Sequence, residues 1–352
     1  MTDMTAHLNA IGTAVPPHDI HAAFIAWARK RLPERERKLF DRMTTRAGIG
    51  HRWSVLPDTD GSPVDPYGFY ASEPHPGTGD RMAIYADAAP TLALAAIDDL
   101  ARQTPLGDIT HLVVASCTGF VAPGIDQIIA ARLGLAPSVE RLLVGFMGCY
   151  AAVAAVRSAH HIVRSEPHAR VLVVTVELST LHLQAVDQLE PLLAMLQFGD
   201  GAAAALVTAD SHGFAIERPF ALALPDSAEL IRWAITDRGF AMHLSGDVPG
   251  RIAAALADPA LVATLTGGAA PDTWAVHAGG RSILDAVEHA LALDPAALAA
   301  SREVLAANGN MSSATLMFVL ARLLTGGRAE HGVALAFGPG LAAEGFGFRS
   351  AG

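Results

Sequence analysis

Three residues hold most of the chemical content of this 352-residue chain: Cys149, His277 and Asn310. Cys149, one of two cysteines, stands in VGFMGCYAAVAAVRSAHHI among small residues at the head of an apolar helical stretch. Gly148 lets the backbone turn sharply just before it. A thiol there is either buried filler or a nucleophile. A helix N-terminus offers positive potential from its unpaired N–H groups, and a nearby imidazolium adds more; both favour thiolate over thiol. His277 follows the strand-like TWAV, and Asn310 precedes the helical MSSATLMFVL. An imidazole and a carboxamide can both donate to a thioester carbonyl whose oxygen turns negative during reaction. Together the three point to acyl transfer. Each also has a structural role open to it: inert core thiol, satisfied core histidine, and a cap for the helix expected from Met311.

The elements that must bring them together are short, β-branched apolar runs alternating with Ala/Leu-rich helical patterns. THLVVASC, ARVLVVTVE, AAAALVTAD, TWAVHAGG and HGVALAFGPG read as buried strands, which makes the chain α/β. An internal repeat organises them. DITHLVVASCTGFVAPGIDQIIAARLGL, GFMGCYAAVAAVRSA and ARVLVVTVE give strand, glycine loop, helix, second helix and strand; PDTWAVHAGGRSILDAVEHALAL, GNMSSATLMFVLARLL and HGVALAFGPG repeat that order. Two similar halves packed face to face are expected, residues 1–212 and 213–352, with the boundary near ADSHGFAIERP. Turns after corresponding strands would then converge on one site.

Composition sets the outer limits. With 51% hydrophobic residues the chain can bury a large core. Two cysteines in apolar contexts suit reduced thiols, and the N-terminus lacks a signal-peptide pattern, so a cytoplasmic location is expected. No uninterrupted run of about 18 apolar residues predicts a membrane span. A net charge of −10 argues against nucleic acid, yet nine of the 25 Lys and Arg residues fall between Arg29 and Arg52, in WARKRLPERERKLFDRMTTRAGIGHRW. That stretch is either a solvated helix face or an anion patch suited to a polyphosphorylated small molecule or an acidic carrier protein.

Over nearly its whole length the sequence resembles the type III polyketide synthases, the chalcone synthase-like group of the thiolase fold. GFMGCYAA around Cys149, FGDGAAA after Gln197, DVPG at 247–250, WAVHAGGRSILDAVE around His277, GNMSSA around Asn310, and FGPG with GFGF near the C-terminus carry the resemblance. It implies a homodimeric, five-layered αβαβα enzyme without metal or redox cofactor. Coenzyme A thioesters would be its substrates, and an acyl carrier protein a possible source of starter. Cys149 matches the nucleophile that holds the starter acyl group, and His277 and Asn310 match the pair that polarises the malonyl thioester during decarboxylation. Phe198 matches an aromatic gate between the coenzyme A tunnel and the reaction cavity, and Ser312 lies in GNMSSA beside Asn310. Arg42 and Arg46 align with contacts to coenzyme A phosphates, and Ser282 with a position facing the pantetheine arm; Leu39 falls where the family has a further lysine.

The cavity positions depart from the plant pattern. Met242 stands where a second gate phenylalanine is found, His182 where a small hydroxyl residue is common, and Trp233 where glycine is common. Ala122 replaces a larger side chain that reaches across the dimer, and the alignment needs a small deletion between Glu177 and Phe198. Cys117 is expected on the cavity wall in a non-catalytic role. The expected chemistry is loading of an acyl-CoA, extension by decarboxylative Claisen condensation with malonyl-CoA, and cyclisation to an alkylpyrone or alkylresorcinol-type product, in an enzyme of bacterial type. A ketoacyl-carrier-protein synthase, a cysteine acyl hydrolase and a non-catalytic acyl-CoA binder stay open as alternatives.

Overall fold

Alternation along single strands explains the sheets. In Asp200–Thr208, Ala203, Ala205 and Val207 enter one hydrophobic core while Ala202, Ala204 and Leu206 enter another. In Val171–Leu178, Val171 and Val173 face the first core, and Leu172, Val174 and Val176 the second. A strand buried on both faces reads as a continuous apolar run, and that is how these segments read in the sequence. The computed structural model describes residues 4–56, 69–71 and 75–352.

Among the described residues, a nine-stranded sheet runs in the order Thr273–Val276, Gly332–Gly338, Ala342–Ser350, Phe214–Ala223, His7–Ala14, Asp200–Thr208, Val171–Leu178, His111–Ser116 and Glu140–Gly145. It is continuous only through a short junction, where His7 pairs with Ala215 and Leu8 with Phe214. Five N-terminal strands lie on one side of that junction and four C-terminal strands on the other. Between the two sheet halves lie the helices Ala151–Ser165 and Ser313–Leu324, whose Val153, Val156, Leu316, Met317 and Leu320 fill the shared core. Thr78–Gln103 and Ile125–Leu133 cover the outer face of the N-terminal strands. Val248–Leu256 and Arg281–Ala290 cover that of the C-terminal strands. The result is the five-layered, thiolase-like α/β architecture.

All five expected strands form. Among the described residues eight others were not predicted, and two of the long ones hide for local reasons: His7–Ala14 carries His7 and Asn9, and Phe214–Ala223 is interrupted by Arg218, at φ 45°, and Pro219. Two of the eight, Ile231–Thr236 and Gly239–Leu244, pair as an antiparallel hairpin that sets Trp233 opposite Met242. No single helix among the described residues is long and apolar enough to cross a membrane.

Candidate active site

Cys149 occupies a single 3₁₀ turn, Gly148–Tyr150, that feeds the central helix beginning at Ala151. The preceding glycine is required twice over. Gly148 has φ 75°, and a Cβ there would lie 2.4 Å from Pro339 Cδ. His277 follows the strand Thr273–Val276 and is buried at 1% exposure. Asn310, 2% exposed, sits between the helix Ala299–Asn308 and the central helix Ser313–Leu324, which starts two residues later than expected. The helix waits for Ser312, whose φ of 48° breaks the turn.

One cavity of about 550 Å³ is lined by Cys149, His277 and Asn310, and also by Phe198, Met242, Ser282, Met43, Arg46 and Arg281. A second, of about 260 Å³, is lined by Cys117, Cys149, His182, Phe198, Trp233, Phe240, Met242 and Ser312. Cys149, Phe198 and Met242 belong to both. The thiol therefore sits at the junction of an outer cavity, with arginines on its wall, and an inner one that is mostly apolar. Arg42 lines neither and lies exposed on the helix Glu34–Ala47.

Hydrogen bonds fix the amide of Asn310. Its Oδ1 accepts from the Ser312 backbone N–H at 2.8 Å, so Nδ2 is the donor to the Gly279 carbonyl at 3.1 Å. The second Nδ2 proton is left for the cavity. The backbone N–H of Asn310 donates to Gln197 O at 2.8 Å, and Gly199 N–H donates to Asn310 O at 3.0 Å, which ties Asn310 to the Phe198 segment.

Burial dominates the electrostatics. It pushes the Cys149 thiol up to about 12, opposed by hydrogen bonding from Ser312 and Asn310. It pushes His277 down to about 3, and neither ring nitrogen has a partner among the described residues. Burial therefore opposes both charges of the imidazolium and thiolate expected from the sequence, because desolvation favours the neutral form of each group.

Beneath Cys149 lies a buried polar cluster that sequence reasoning missed. The Glu177 carboxylate accepts from Cys117 N–H at 2.9 Å, Thr118 Oγ1 at 2.9 Å and Ser313 Oγ at 2.5 Å. Burial still raises Glu177 to about 7. Cys117 Sγ accepts from the Gly148 N–H at 2.9 Å and so supports the turn that presents Cys149. A lone carboxylate inside the apolar run VLVVTVEL was the available signal.

Arg52, counted above with the exposed basic stretch, is fully buried. Its Nη1 donates to Met195 O at 2.9 Å and Phe198 O at 2.8 Å, and its Nε to His21 Nδ1 at 3.0 Å. Long-range carbonyls and the Phe24 ring, 4.5 Å away, replace its water. His182 is half-buried, and desolvation pushes it down to about 4. Its Nδ1 accepts from Phe240 N–H at 3.1 Å, so Nε2 donates to Thr118 O at 2.6 Å, and its ring stacks on Phe240 at 4.0 Å.

The N-terminal domain of chalcone and stilbene synthases matches residues 2–211, and the C-terminal domain of the same enzymes matches residues 219–352. The chain is 34% identical to a bisdemethoxycurcumin synthase of Oryza sativa subsp. japonica, covering 97% of this chain and 92% of that protein. It is 33% identical to the alpha-pyrone synthesis polyketide synthase-like Pks18 of Mycobacterium tuberculosis, covering 76% and 72% respectively. Among solved structures, the C-terminal type III polyketide synthase domain of Steely1 from Dictyostelium superposes with a TM-score of 0.90 at 25% identity, over 99% of this chain and 100% of that one. PKS-I of the brown alga Ectocarpus siliculosus gives a TM-score of 0.89 at 28% identity, over 99% of both chains.

Proposed function

The chain belongs to the chalcone and stilbene synthase family and is a type III polyketide synthase, and on that premise we propose how its residues divide the work. Cys149 attacks the thioester carbonyl of an acyl-CoA starter, its proton passes to His277, and coenzyme A leaves as the acyl group stays on sulfur. In malonyl-CoA bound in the outer cavity, the free Nδ2 proton of Asn310 and a protonated His277 nitrogen polarise the thioester carbonyl. Carbon dioxide leaves, the electron pair remains as a stabilised enolate, and that enolate attacks the acyl thioester on Cys149. The observation that carries this reading is the convergence of Cys149, His277 and Asn310, from three separate segments, on one cavity walled by Arg46 and Ser282.

Phe198 and Met242, shared by both cavities, act as the gate between them, and Arg46, Arg42 and Ser282 hold coenzyme A. His182, Trp233, Cys117 and Ser312 bound the space for the growing chain. The inner cavity's apolar lining and modest volume support an aliphatic starter, few extensions and closure to an alkylpyrone or alkylresorcinol-type product. The alpha-pyrone named for the mycobacterial relative agrees with this. The family's chemistry needs no cofactor beyond its coenzyme A substrates. A homodimer, two halves at 1–212 and 213–352, and a cytoplasmic setting belong to the same reading. The dimer is supported by the edge strand Glu140–Gly145, which bears Leu142 and Leu143 at 43% and 45% exposure beside Phe120 and Phe146 at 47% and 44%.

Mass spectrometry of products from malonyl-CoA and a panel of short, long and aromatic acyl-CoAs tests the whole. Starter-dependent polyketides that vanish in Cys149→Ala are expected; coenzyme A release without carbon–carbon bond formation would overturn it.

A further inference from the structure

The helix Glu34–Ala47 spends few of its cations on the fold. In the surrounding stretch Arg29 pairs with Asp41 at 3.0 Å, Arg31 covers Trp27 at 4.5 Å, Arg37 donates to Leu32 O at 3.0 Å, and Arg52 is buried. Lys38, Arg42 and Arg46 have no ion-pair partner among the described residues, and Arg35 makes one loose contact with Glu36 at 3.5 Å.

These four share a face. At roughly 100° per residue, Lys38, Arg42, Arg35 and Arg46 fall within about 80° of one another, with Leu39 and Met43 along one flank. All six are exposed, Leu39 and Met43 at 40% each. The face runs directly into the site, because Met43, Arg46 and Ala47 line the outer cavity. Its far end at Arg35 lies 11 residues from Arg46, about 16 Å along the axis. Phosphates held at Arg42 and Arg46 leave Arg35, Lys38 and Leu39 unused. Two exposed apolar side chains also have no part in binding phosphate; they suit the side of another helix.

We infer that this face docks an acidic, helical acyl carrier protein, which feeds its phosphopantetheine-bound acyl group into the outer cavity. Charge complementarity carries the choice: a positive stripe stands out on a chain of net charge −10, at the mouth through which a thioester must enter. Leu39 and Met43 supply the apolar centre of the contact, and the cations its rim. An anionic lipid surface would match the charge as well, but it presents no thioester arm at the mouth. The inference rests on the acyl-transfer reading of Cys149 and adds a second route to the same thiol.

The test compares octanoyl-CoA with octanoyl acyl carrier protein as starter, using the 352-residue enzyme and its Arg35→Glu/Lys38→Glu variant, with malonyl-CoA in common. Loading of Cys149 is read by intact mass, and kcat/KM is taken at low and high salt. Expected is loading of the wild type from both donors, with a loss of tenfold or more in the variant for the carrier protein only. Raised salt should reproduce that loss, and octanoyl-CoA should stay within about twofold. Failure of the carrier protein to load wild-type Cys149, or equal losses with both donors, overturns the docking surface. Salt-sensitive binding to anionic vesicles that the variant lacks, without carrier-protein loading, assigns the face to a membrane instead. Failure of octanoyl-CoA and every other acyl-CoA to load Cys149 would strike the proposed function itself.

Discussion

Phe198 and Asn310 are joined backbone to backbone across the two halves, an isolated parallel bridge held by the bonds from Asn310 N–H to Gln197 O and from Gly199 N–H to Asn310 O. The proposed gate and the proposed catalytic amide thus share one rigid support, and Arg52 holds it from below through Phe198 O.

Arg52→Met is expected to leave the Met195 and Phe198 carbonyls unpaired in the interior, destabilising the fold by about 2–4 kcal/mol. It should also lower kcat/KM tenfold or more at temperatures where the variant is folded. Denaturation and steady-state kinetics read the two effects separately; a stability loss with unchanged kinetics would mean that the gate does not depend on this contact.

Asn310→Ala removes the one amide proton aimed at the cavity. Malonyl-CoA decarboxylation should fall by about 10²–10³-fold, the loss typical of one oxyanion-stabilising donor. Acylation of Cys149 should persist, and carbon dioxide release with intact mass separates the two steps.

Ser312→Ala deletes a hydrogen bond that pulls the Cys149 thiol down against burial. The pH profile for inactivation by iodoacetamide should move to higher pH by about one unit, which is about 1.4 kcal/mol of lost thiolate stabilisation. An unmoved profile would show that Ser312 does not touch the thiolate.

Glu177 gives the stability a pH signature. Below pH 4.5 it is protonated folded or unfolded; between 4.5 and about 7 the folded state keeps a proton that the unfolded chain has released. Its contribution is therefore full below pH 4.5 and is lost as pH rises through 7, roughly 3 kcal/mol in all. The melting temperature of wild type minus that of Glu177→Gln should fall across this window, and parallel curves would sink the assignment.

Trp233→Leu should enlarge the inner cavity, since the ring lines it opposite Met242. Products from longer starters or with an added extension should rise several-fold relative to wild type. An unchanged product spectrum would move the size limit elsewhere, to His182 and its stack with Phe240.

The α/β class, the family and the three residues that converge on the outer cavity were legible in the amino-acid sequence. Those features are local: a buried strand is a short apolar run, and GFMGCY, HAGGRSIL and GNMSSA each write a turn and its side chain into a few adjacent positions. Tertiary structure alone decided the rest. Arg52 reads as one more surface cation until its partners, more than 140 residues away, enclose it. Glu177 is an unremarked residue of a strand until Ser313, from the other half, closes over it at 2.5 Å. The downward push on the His277 pKa follows from its burial, which no neighbouring residue in the sequence encodes. Composition and spacing register what a residue is; desolvation and long-range hydrogen bonding decide what charge it carries and what it can hold.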